Sequence, residues 1–198
     1  MTIDKNLKKL RNKKILIVGG SSGFGLALTR AFLNYGSIVY YISRNKNNLI
    51  NAKHIELDLS NPDSLKLGID KINKLKITIL INCAAINYSK LHNEINIAEW
   101  NKVLQVNLTS VFLLCNAVLP HMKKIKYGKI VNVSSIAGRH RSIVSGIHYV
   151  SSKAGLIGYT RQLAYEVAKY NINVNVVCPS QTKTKMYKKT MTKDKEKQ

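Results

Sequence analysis

Short apolar runs alternate with longer segments of helical periodicity along most of the chain. Six mostly apolar runs have the length and composition of buried parallel strands, at residues 13–18, 38–42, 54–57, 77–81, 129–133 and 173–177. Apolar residues recur at the helical repeat between them, at residues 26–35, 63–75, 97–122 and 154–170, with a break expected near Asn107. Strands that alternate with helices predict one parallel sheet with right-handed crossovers and helices on both faces.

The composition fits one domain followed by a short tail. The chain has 198 residues, of which 45% are hydrophobic, and this is enough for a core of its own. No internal repeat is visible in the sequence. The composition changes only near residue 183, where a Lys/Thr-rich stretch without an apolar period begins. We therefore expect a single domain at residues 1–182 and a flexible tail at residues 183–198.

The net charge of +22 suggests an anionic partner such as nucleic acid, but the distribution of the charge argues against one. Ten of the 22 charges lie in two terminal segments, Met1–Lys14 and Lys183–Gln198. The others are mostly lysines dispersed among frequent Asn and Ile residues, as an A/T-rich coding sequence would give. Nucleic-acid binding is therefore not expected.

The sequence predicts a cytoplasmic protein that does not enter a membrane. Every uninterrupted apolar run is far shorter than the roughly 20 residues of a membrane-spanning helix, and the polar N-terminus lacks the features of a secretory signal. Cys83, Cys115 and Cys178 lie far apart in apolar surroundings, which indicates buried free thiols rather than disulfides or a metal site.

A glycine-rich turn follows the first predicted strand and precedes a predicted helix. Gly19, Gly23 and Gly25 have the spacing GxxxGxG, which permits a tight turn and the close approach of a pyrophosphate. The amide groups at the start of the helix would bind the phosphates. We expect the turn to bind a dinucleotide through these glycines and the residues between them, Ser21, Ser22 and Phe24.

Residues after the second and third strands bear on the choice of dinucleotide. Arg44 occupies the position that faces the adenosine ribose in doubly wound folds, where an arginine can pair with the 2′-phosphate of NADP. Ser43 could add a hydrogen bond to that phosphate. Asp58 could accept from the adenine amino group or cap the turn that follows it, and the two roles are compatible. We therefore expect NADP(H) in preference to NAD(H).

Tyr149 and Lys153 lie four residues apart where the last predicted helix opens, so their side chains share one face. A free tyrosine has a pKa of about 10 and is a poor acid or base at neutral pH. A fixed cation nearby favours the phenolate, so we expect the pKa of Tyr149 to be lowered. Two side chains on a solvated helix face are the alternative for this spacing taken alone.

Six motifs in order make the chain resemble a short-chain dehydrogenase/reductase of the GxxxGxG branch. Besides the glycine turn and the Tyr149–Lys153 pair, the chain has counterparts of four family motifs: Asn82-Cys83-Ala84-Ala85, Asn107, Ser134-Ser135-Ile136-Ala137-Gly138, and Pro179-Ser180 with Thr184 beyond. The resemblance covers about residues 13–186. It implies a Rossmann-like doubly wound parallel sheet of about six strands in a single domain.

The resemblance also implies an activity, an NADP(H)-dependent interconversion of a small-molecule carbonyl and an alcohol. Tyr149 would be the general acid/base, Lys153 would lower its pKa and hold the nicotinamide ribose, and Ser135, rather than Ser134, would hydrogen-bond the carbonyl. Asn107 would anchor a water that links Lys153 to solvent. Further cofactor contacts are expected from Leu59, Asn82, Ala84, Pro179, Thr182 and Thr184. The family further implies a homodimer or homotetramer.

The sequence departs from the family pattern at several positions. Ser180 replaces a glycine, which questions the local backbone conformation. Ala85 adds a methyl group where space is expected to be tight. The chain also ends soon after the threonine motif, so a cofactor-binding protein without turnover is the alternative function. His148 is expected to be a partly exposed loop residue, and the Arg139–Arg141 cluster a solvated loop that could otherwise bind an anionic substrate.

Overall fold

A single parallel sheet of six strands forms the centre of the molecule. The computed structural model describes residues 7–47, 51–180 and 182. The strands, in chain order, are β1 (Lys14–Val18), β2 (Ile38–Ser43), β3 (Lys53–Glu56), β4 (Ile79–Asn82), β5 (Gly128–Val133) and β6 (Ile172–Val177). They lie in the order β3-β2-β1-β4-β5-β6, and each pairs with its neighbours in parallel. The predicted doubly wound parallel sheet is confirmed.

Within the described residues, five α-helices connect the strands and cover both faces of the sheet. They are α1 (Gly23–Asn34), α2 (Pro62–Lys74), α3 (Ile97–Leu104), α4 (Ser110–Ile125) and α5 (Ile147–Val167). The long helix predicted at residues 97–122 is interrupted, as expected near Asn107, by one wide π-helical turn at Gln105–Thr109. Helix α5 begins seven residues earlier than the apolar period indicated.

Alternate side chains of the strands pack on opposite faces of the sheet. In β1, Leu16 and Val18 join the larger core cluster on the side of α2, α4 and α5. Ile15 and Ile17 join a second cluster on the other face, where Leu28 and Phe32 of α1 pack against them. Continuous apolar runs such as Lys14–Val18 are therefore required, because both faces of a central strand are covered.

The α3–α4 segment is a long apolar helical region of the described chain. From Ile97 to Ile125 it is long and apolar enough to cross a membrane by length and composition alone. The uninterrupted apolar runs of the sequence do not show this, because polar residues such as Lys102 and Asn107 divide the segment. More than half of its most apolar window is buried, as in the core helix of a soluble domain, and Leu114 and Met122 are fully buried.

Strand order places the functional region of the sheet. The chain leaves β1 toward β2 on one side, and β4 lies on the other side of β1. In open parallel sheets, ligands bind beyond the carboxyl ends of the strands at such a reversal. The loops after β1 and β4 meet there, and the first turn of α5 lies beside them.

Candidate active site

One cleft of about 560 Å³ crosses the carboxyl ends of the strands. It extends from the glycine turn after β1 to the first turn of α5. Most of the expected site residues line it, namely Gly19, Ser21, Ser22, Gly23, Phe24, Gly25, Ser43, Arg44, Asp58, Leu59, Ala84, Ser135, Tyr149, Lys153, Pro179 and Thr182. Asn82 and Asn107 lie behind its wall, and Thr184 lies outside the described residues.

The glycine turn has no space for side chains. Gly19 and Gly23 have φ angles of +83° and +52°, in the left-handed region that favours glycine. A Cβ atom on Gly25 would lie 2.2 Å from the carbonyl oxygen of Gly19, and a Cβ on Gly19 would lie 2.9 Å from the backbone of Ala84. The backbone of this turn therefore forms an open floor that a pyrophosphate can approach closely.

Helix α1 begins within this glycine turn, and its first amide groups are not capped by the N-cap side chain. Ser22 is its N-cap residue in an extended conformation, and within the described chain its side chain makes no capping hydrogen bond. The first amides of a helix need acceptors, and the helix dipole favours an anion there. The turn and the helix start thus fit the diphosphate of a dinucleotide.

The adenosine end of the cleft carries a cation and a partly engaged carboxylate. Arg44 is exposed beyond β2, where the Ser43 hydroxyl donates to the Asn45 carbonyl oxygen at 2.7 Å. Asp58 accepts from both the amide and the hydroxyl of Ser60, at 2.9 and 2.8 Å. These hydrogen bonds lower the pKa of Asp58, with a smaller contribution from Arg44. Asp58 therefore caps its own turn while it lines the cleft.

Asn82 belongs to the scaffold of the sheet. Its side chain is buried, and its amide nitrogen donates to Oδ1 of Asn132, its register partner on β5, at 2.8 Å. The amide of Asn132 continues this path to the hydroxyl of Thr160 on α5 at 3.0 Å. The structure thus does not bring Asn82 to the cleft as its expected cofactor contact requires. Ala84, two residues on, forms the cleft wall against Gly19.

Asn107 fixes the segment after β4 from within the π-helical turn. Its Oδ1 accepts from the amide of Ile86 at 2.9 Å, and its Nδ2 donates to the carbonyl oxygen of Ile86 at 3.0 Å. The same Nδ2 reaches the hydroxyl of Ser152 on α5 at 3.1 Å. The fully buried side chain therefore couples the cleft wall to α5. Its expected water contact stays a prediction.

Two adjacent serines follow β5 and have different surroundings. The Ser134 hydroxyl is buried and donates to the main-chain carbonyl oxygen of Lys153 at 2.8 Å. The Ser135 hydroxyl accepts from the amide of Ala137 at 3.1 Å and hydrogen-bonds the phenol of Tyr149. Of the two, only Ser135 presents its hydroxyl beside the phenol.

Burial controls the electrostatics of Tyr149 and Lys153. It raises the pKa of Tyr149, and the hydrogen bond with Ser135 offsets part of this increase. Burial also lowers the pKa of Lys153 to about 8. The Lys153 ammonium donates to the carbonyl oxygen of Val133 at 2.8 Å and lies 5.7 Å from the centroid of the Tyr149 ring. The expected lowering of the Tyr149 pKa was therefore wrong for the described chain, because desolvation of the phenol outweighs the hydrogen bond with Ser135.

Comparison with known proteins identifies the family. The sequence model of the short chain dehydrogenase family matches residues 13–195. The chain belongs to this family. A 3-oxoacyl-[acyl-carrier-protein] reductase of Aquifex aeolicus is 33% identical to this short chain dehydrogenase over 192 residues, which cover 90% of the chain and 77% of the relative.

Solved structures agree with this assignment. A 4-hydroxyisoleucine dehydrogenase complexed with NADH matches with a TM-score of 0.83 and 35% identity, over 88% of this chain and 78% of that one. A 3-oxoacyl-[acyl-carrier protein] reductase from Brucella melitensis with bound NAD matches with a TM-score of 0.82 and 29% identity, over 96% of this chain and 80% of that one. The chain is thus an oxidoreductase of the family that interconverts CH–OH and C=O groups with a nicotinamide cofactor.

Two positions where this short chain dehydrogenase departs from the family pattern are accommodated locally. Ser180 is not among the described non-glycine residues with positive φ, so its backbone does not need a glycine. The preceding Pro179 is held by its carbonyl oxygen, which accepts from the amide of Ile136 at 2.9 Å. Ala85 packs beside Tyr149 and Val103 in a small apolar cluster. Its extra methyl group therefore adds to the packing beneath the site.

No motif in the sequence indicated the surroundings of His148. The prediction of a partly exposed loop residue was wrong, since His148 lies in the first turn of α5 and is fully buried. It contacts Glu99, a residue on α3 that no motif indicated. In the Arg139–Arg141 cluster all side chains are exposed, as expected for a solvated loop, but Arg141 also lines the cleft.

Proposed function

We propose that this short chain dehydrogenase uses NADP(H) to interconvert a carbonyl and an alcohol, with Tyr149 as general acid/base. The observation that carries the proposal is the convergence of Ser135, Tyr149 and Lys153 at one end of a cleft whose other end is the glycine turn. An active site for this reaction needs a proton donor, a hydrogen-bond donor for the substrate oxygen, and a cofactor-binding surface within one cavity. The cleft contains all three.

The residues of the cleft fit a nicotinamide dinucleotide. The glycine turn and the start of α1 would hold its diphosphate, and Lys153 its nicotinamide ribose. When bound, the cofactor supplies or accepts the hydride. The solved relatives complexed with NADH and with NAD support a cofactor of this class.

Arg44 supports NADP(H) over NAD(H). Its guanidinium follows β2 and lines the cleft, where it can pair with a 2′-phosphate in the bidentate geometry that arginine favours. An NAD-specific site in this fold places a carboxylate at that position. The nearby carboxylate of Asp58 accepts its hydrogen bonds from Ser60 in its own turn.

The chain's own residues then handle the proton and the substrate oxygen. Tyr149 donates its phenol proton to the oxygen during carbonyl reduction and accepts a proton during alcohol oxidation. The Ser135 hydroxyl, beside the phenol, donates a hydrogen bond to the same oxygen and stabilises its developing charge. Lys153, when protonated, stabilises the phenolate because its ammonium lies close to the Tyr149 ring.

The substrate end of the cleft carries polar groups beside apolar ones such as Ile143 and Val144. Asn87, Arg141 and Ser145 line it near Tyr149, and Asn87 hydrogen-bonds Ser145 at 3.2 Å. These groups favour a small substrate with hydrogen-bonding or anionic substituents beyond the carbonyl. The names of the relatives span 3-oxoacyl, aldohexose and hydroxyamino-acid chemistry, so all three classes belong in the test panel.

The test is oxidation of NADPH and of NADH against a panel of carbonyl compounds. We expect turnover with NADPH, a loss of at least about 100-fold in kcat for Tyr149→Phe and of about 100-fold for Ser135→Ala. The matched control is Tyr165→Phe, which alters an exposed tyrosine on the same helix and should leave kcat unchanged. Absence of turnover in the wild type, or an active Tyr149→Phe variant, would contradict the proposal.

Cofactor preference has its own test. Arg44→Asp removes the phosphate partner and supplies a carboxylate for a ribose hydroxyl, so kcat/KM should shift from NADPH toward NADH. Arg30→Asp makes the same change of charge at an exposed position on α1 and should leave the preference as it was. An unchanged preference in Arg44→Asp would remove the role given to Arg44.

A further inference from the structure

His148 is a buried histidine whose two ring nitrogens both have partners. It directly precedes Tyr149 and lies in the first turn of α5, with no exposure to solvent. Its Nδ1 lies 2.9 Å from the main-chain nitrogen of Tyr149, and its Nε2 lies 3.2 Å from Oε1 of Glu99. The side chain thus connects α3 with the backbone of the proposed general acid/base.

The partners define the tautomer of His148. The main-chain amide of Tyr149 can only donate, so Nδ1 is the acceptor and carries no proton. Nε2 then carries the proton and donates a hydrogen bond to the carboxylate of Glu99. Glu99 is itself held by the ammonium of Lys90 at 2.6 Å, and its pKa is lowered, chiefly by that hydrogen bond. Each group in this chain of contacts therefore keeps the next one oriented.

Helix α5 needs such an acceptor because its N-cap residue is Gly146. A glycine has no side chain to accept from the first-turn amides, which in most helices are capped by Ser, Thr, Asp or Asn. The carbonyl oxygen of Gly146 is shared between the amides of Tyr149 and Val150, at 3.0 and 3.2 Å. Nδ1 of His148 adds the acceptor that the N-cap lacks.

The position leaves the imidazole little freedom. A Cβ atom on Gly146 would lie 2.5 Å from Cε1 of His148, so only glycine leaves space for the ring. The ring of Tyr88 covers the imidazole with the two ring centroids 6.0 Å apart, and the carbonyl oxygen of Tyr88 accepts from the amide of Gly146. The loop after β4 and the start of α5 therefore enclose the imidazole together.

We propose that Glu99 and His148 form a positioning pair that sets the place of Tyr149 in the cleft. Nδ1 of His148 holds the Tyr149 backbone in the first turn, and Glu99 holds the imidazole in the tautomer that this requires. The phenol is thereby kept against Ser135. The inference rests on the proposed role of Tyr149 in catalysis, and it assigns no chemical step to His148 or Glu99.

Two conservative variants separate this role from simple packing. In His148→Asn, Oδ1 takes the place of Nδ1 and can accept from the Tyr149 amide. In His148→Gln, the amide reaches the place of Nε2 and can contact Glu99, but the Tyr149 amide loses its side-chain acceptor and keeps only the carbonyl oxygen of Gly146. In His148→Leu both contacts are lost. His121→Leu, which alters a histidine on α4, is the control.

We expect kcat to fall about 10- to 100-fold in His148→Leu and His148→Gln, because a displacement of about 1 Å of a catalytic group has effects of this size. His148→Asn should recover kcat to within about threefold of the wild type. The Kd for NADPH, measured by fluorescence titration, should stay within about twofold in all variants, since His148 does not line the cleft. Equal kcat in the Asn and Gln variants, or an unchanged kcat in His148→Leu, would overturn the inference.

A measurement without turnover keeps this test separate from that of the proposed function. Nitrogen-15 NMR of histidine-labelled protein reports the tautomer of each of the five histidines, and His148→Asn assigns the signal of His148. We expect the neutral tautomer with the proton on Nε2, and its loss in Glu99→Ala. A proton on Nδ1 in the wild type would overturn the positioning pair even if the enzyme is active. An inactive wild type with the expected tautomer would instead contradict the proposed function alone.

Discussion

The buried ammonium of Lys153 should destabilise the folded protein in a way that depends on pH. Burial lowers its pKa from the ordinary value of 10.5 to about 8. Between these two values the unfolded chain binds the proton more tightly than the folded chain does, so the free energy of unfolding rises with pH. The destabilisation is therefore full below pH 8 and is relieved as the pH rises toward 10.5.

The two pKa values give the magnitude. Linkage yields a destabilisation of about 3 kcal/mol at pH 7 and about 2 kcal/mol at pH 9. Lys153→Met keeps most of the length of the side chain and removes the charge. It also removes the hydrogen bond to Val133, which offsets about 1 to 1.5 kcal/mol of the gain. We expect the variant to be more stable than the wild type by about 2 kcal/mol at pH 7, and to be inactive.

Urea unfolding of both proteins at pH 7 and pH 9 checks this expectation. The stability gained by Lys153→Met should be about 1 kcal/mol smaller at pH 9 than at pH 7. The change with pH is the sharper measurement because the packing lost in the variant does not titrate. Lys66→Met, at an exposed position on α2, should change stability by less than about 0.5 kcal/mol at either pH.

Other titrating groups cancel in this comparison. Burial raises the pKa values of Cys83 and Cys115 from 9.0 to about 12, so both thiols favour the folded state less as the pH rises above 9. The charge of Lys153 lowers the pKa of Cys83, but with a pKa of about 12 the folded thiol stays protonated at pH 7 and pH 9 with or without that charge, so both thiols drop out of the difference. A gain for Lys153→Met that is the same at pH 7 and pH 9 would refute the conclusion that burial has lowered the pKa of Lys153.

Two further variants test the scaffold of the site. Gly25→Ala places a methyl group 2.2 Å from the carbonyl oxygen of Gly19, so the turn must open and the Kd for NADPH should rise at least about 10-fold, whereas Gly158→Ala, with open space around its Cβ, should leave cofactor binding unchanged. Asn107→Leu leaves the amide and carbonyl of Ile86 without their buried partner and should lower the free energy of unfolding by about 3 kcal/mol in urea titration, and a loss below about 1 kcal/mol would contradict the structural role of Asn107.

The fold could be predicted because its determinants are local patterns. A strand covered on both faces must be continuously apolar, and β1 and β4 show this directly. The start of α5 could not be found in the same way. Its first two turns carry polar residues such as His148 and Ser152, which are buried by contacts with α3 and the π-helical turn. The apolar periodicity of a sequence does not reveal polar residues that are buried by such tertiary contacts.

The sequence predicted which residues line the site better than it predicted the directions of their side chains. Motif order placed Ser135 and Tyr149 in one cleft, since the carboxyl ends of parallel strands meet at one edge of the sheet. The direction of the Asn82 side chain depends on the register of β4 against β5, which brings Asn132 opposite it. Strand register is a tertiary property, and a spacing along one strand does not determine it.

The electrostatics of the site show the same distinction with a functional consequence. The spacing of Tyr149 and Lys153 fixes their proximity but not the dielectric environment, and burial moves their pKa values in opposite directions. With the pKa of Tyr149 raised and that of Lys153 near 8, the phenol is protonated at neutral pH and the ammonium is close to its titration range. A protonated phenol is the form that carbonyl reduction consumes, whereas alcohol oxidation needs the phenolate. With Tyr149 as the proposed general acid/base, neutral pH therefore supplies the form of the phenol that reduction consumes, whereas oxidation would need the phenolate to be stabilised by the cationic form of Lys153.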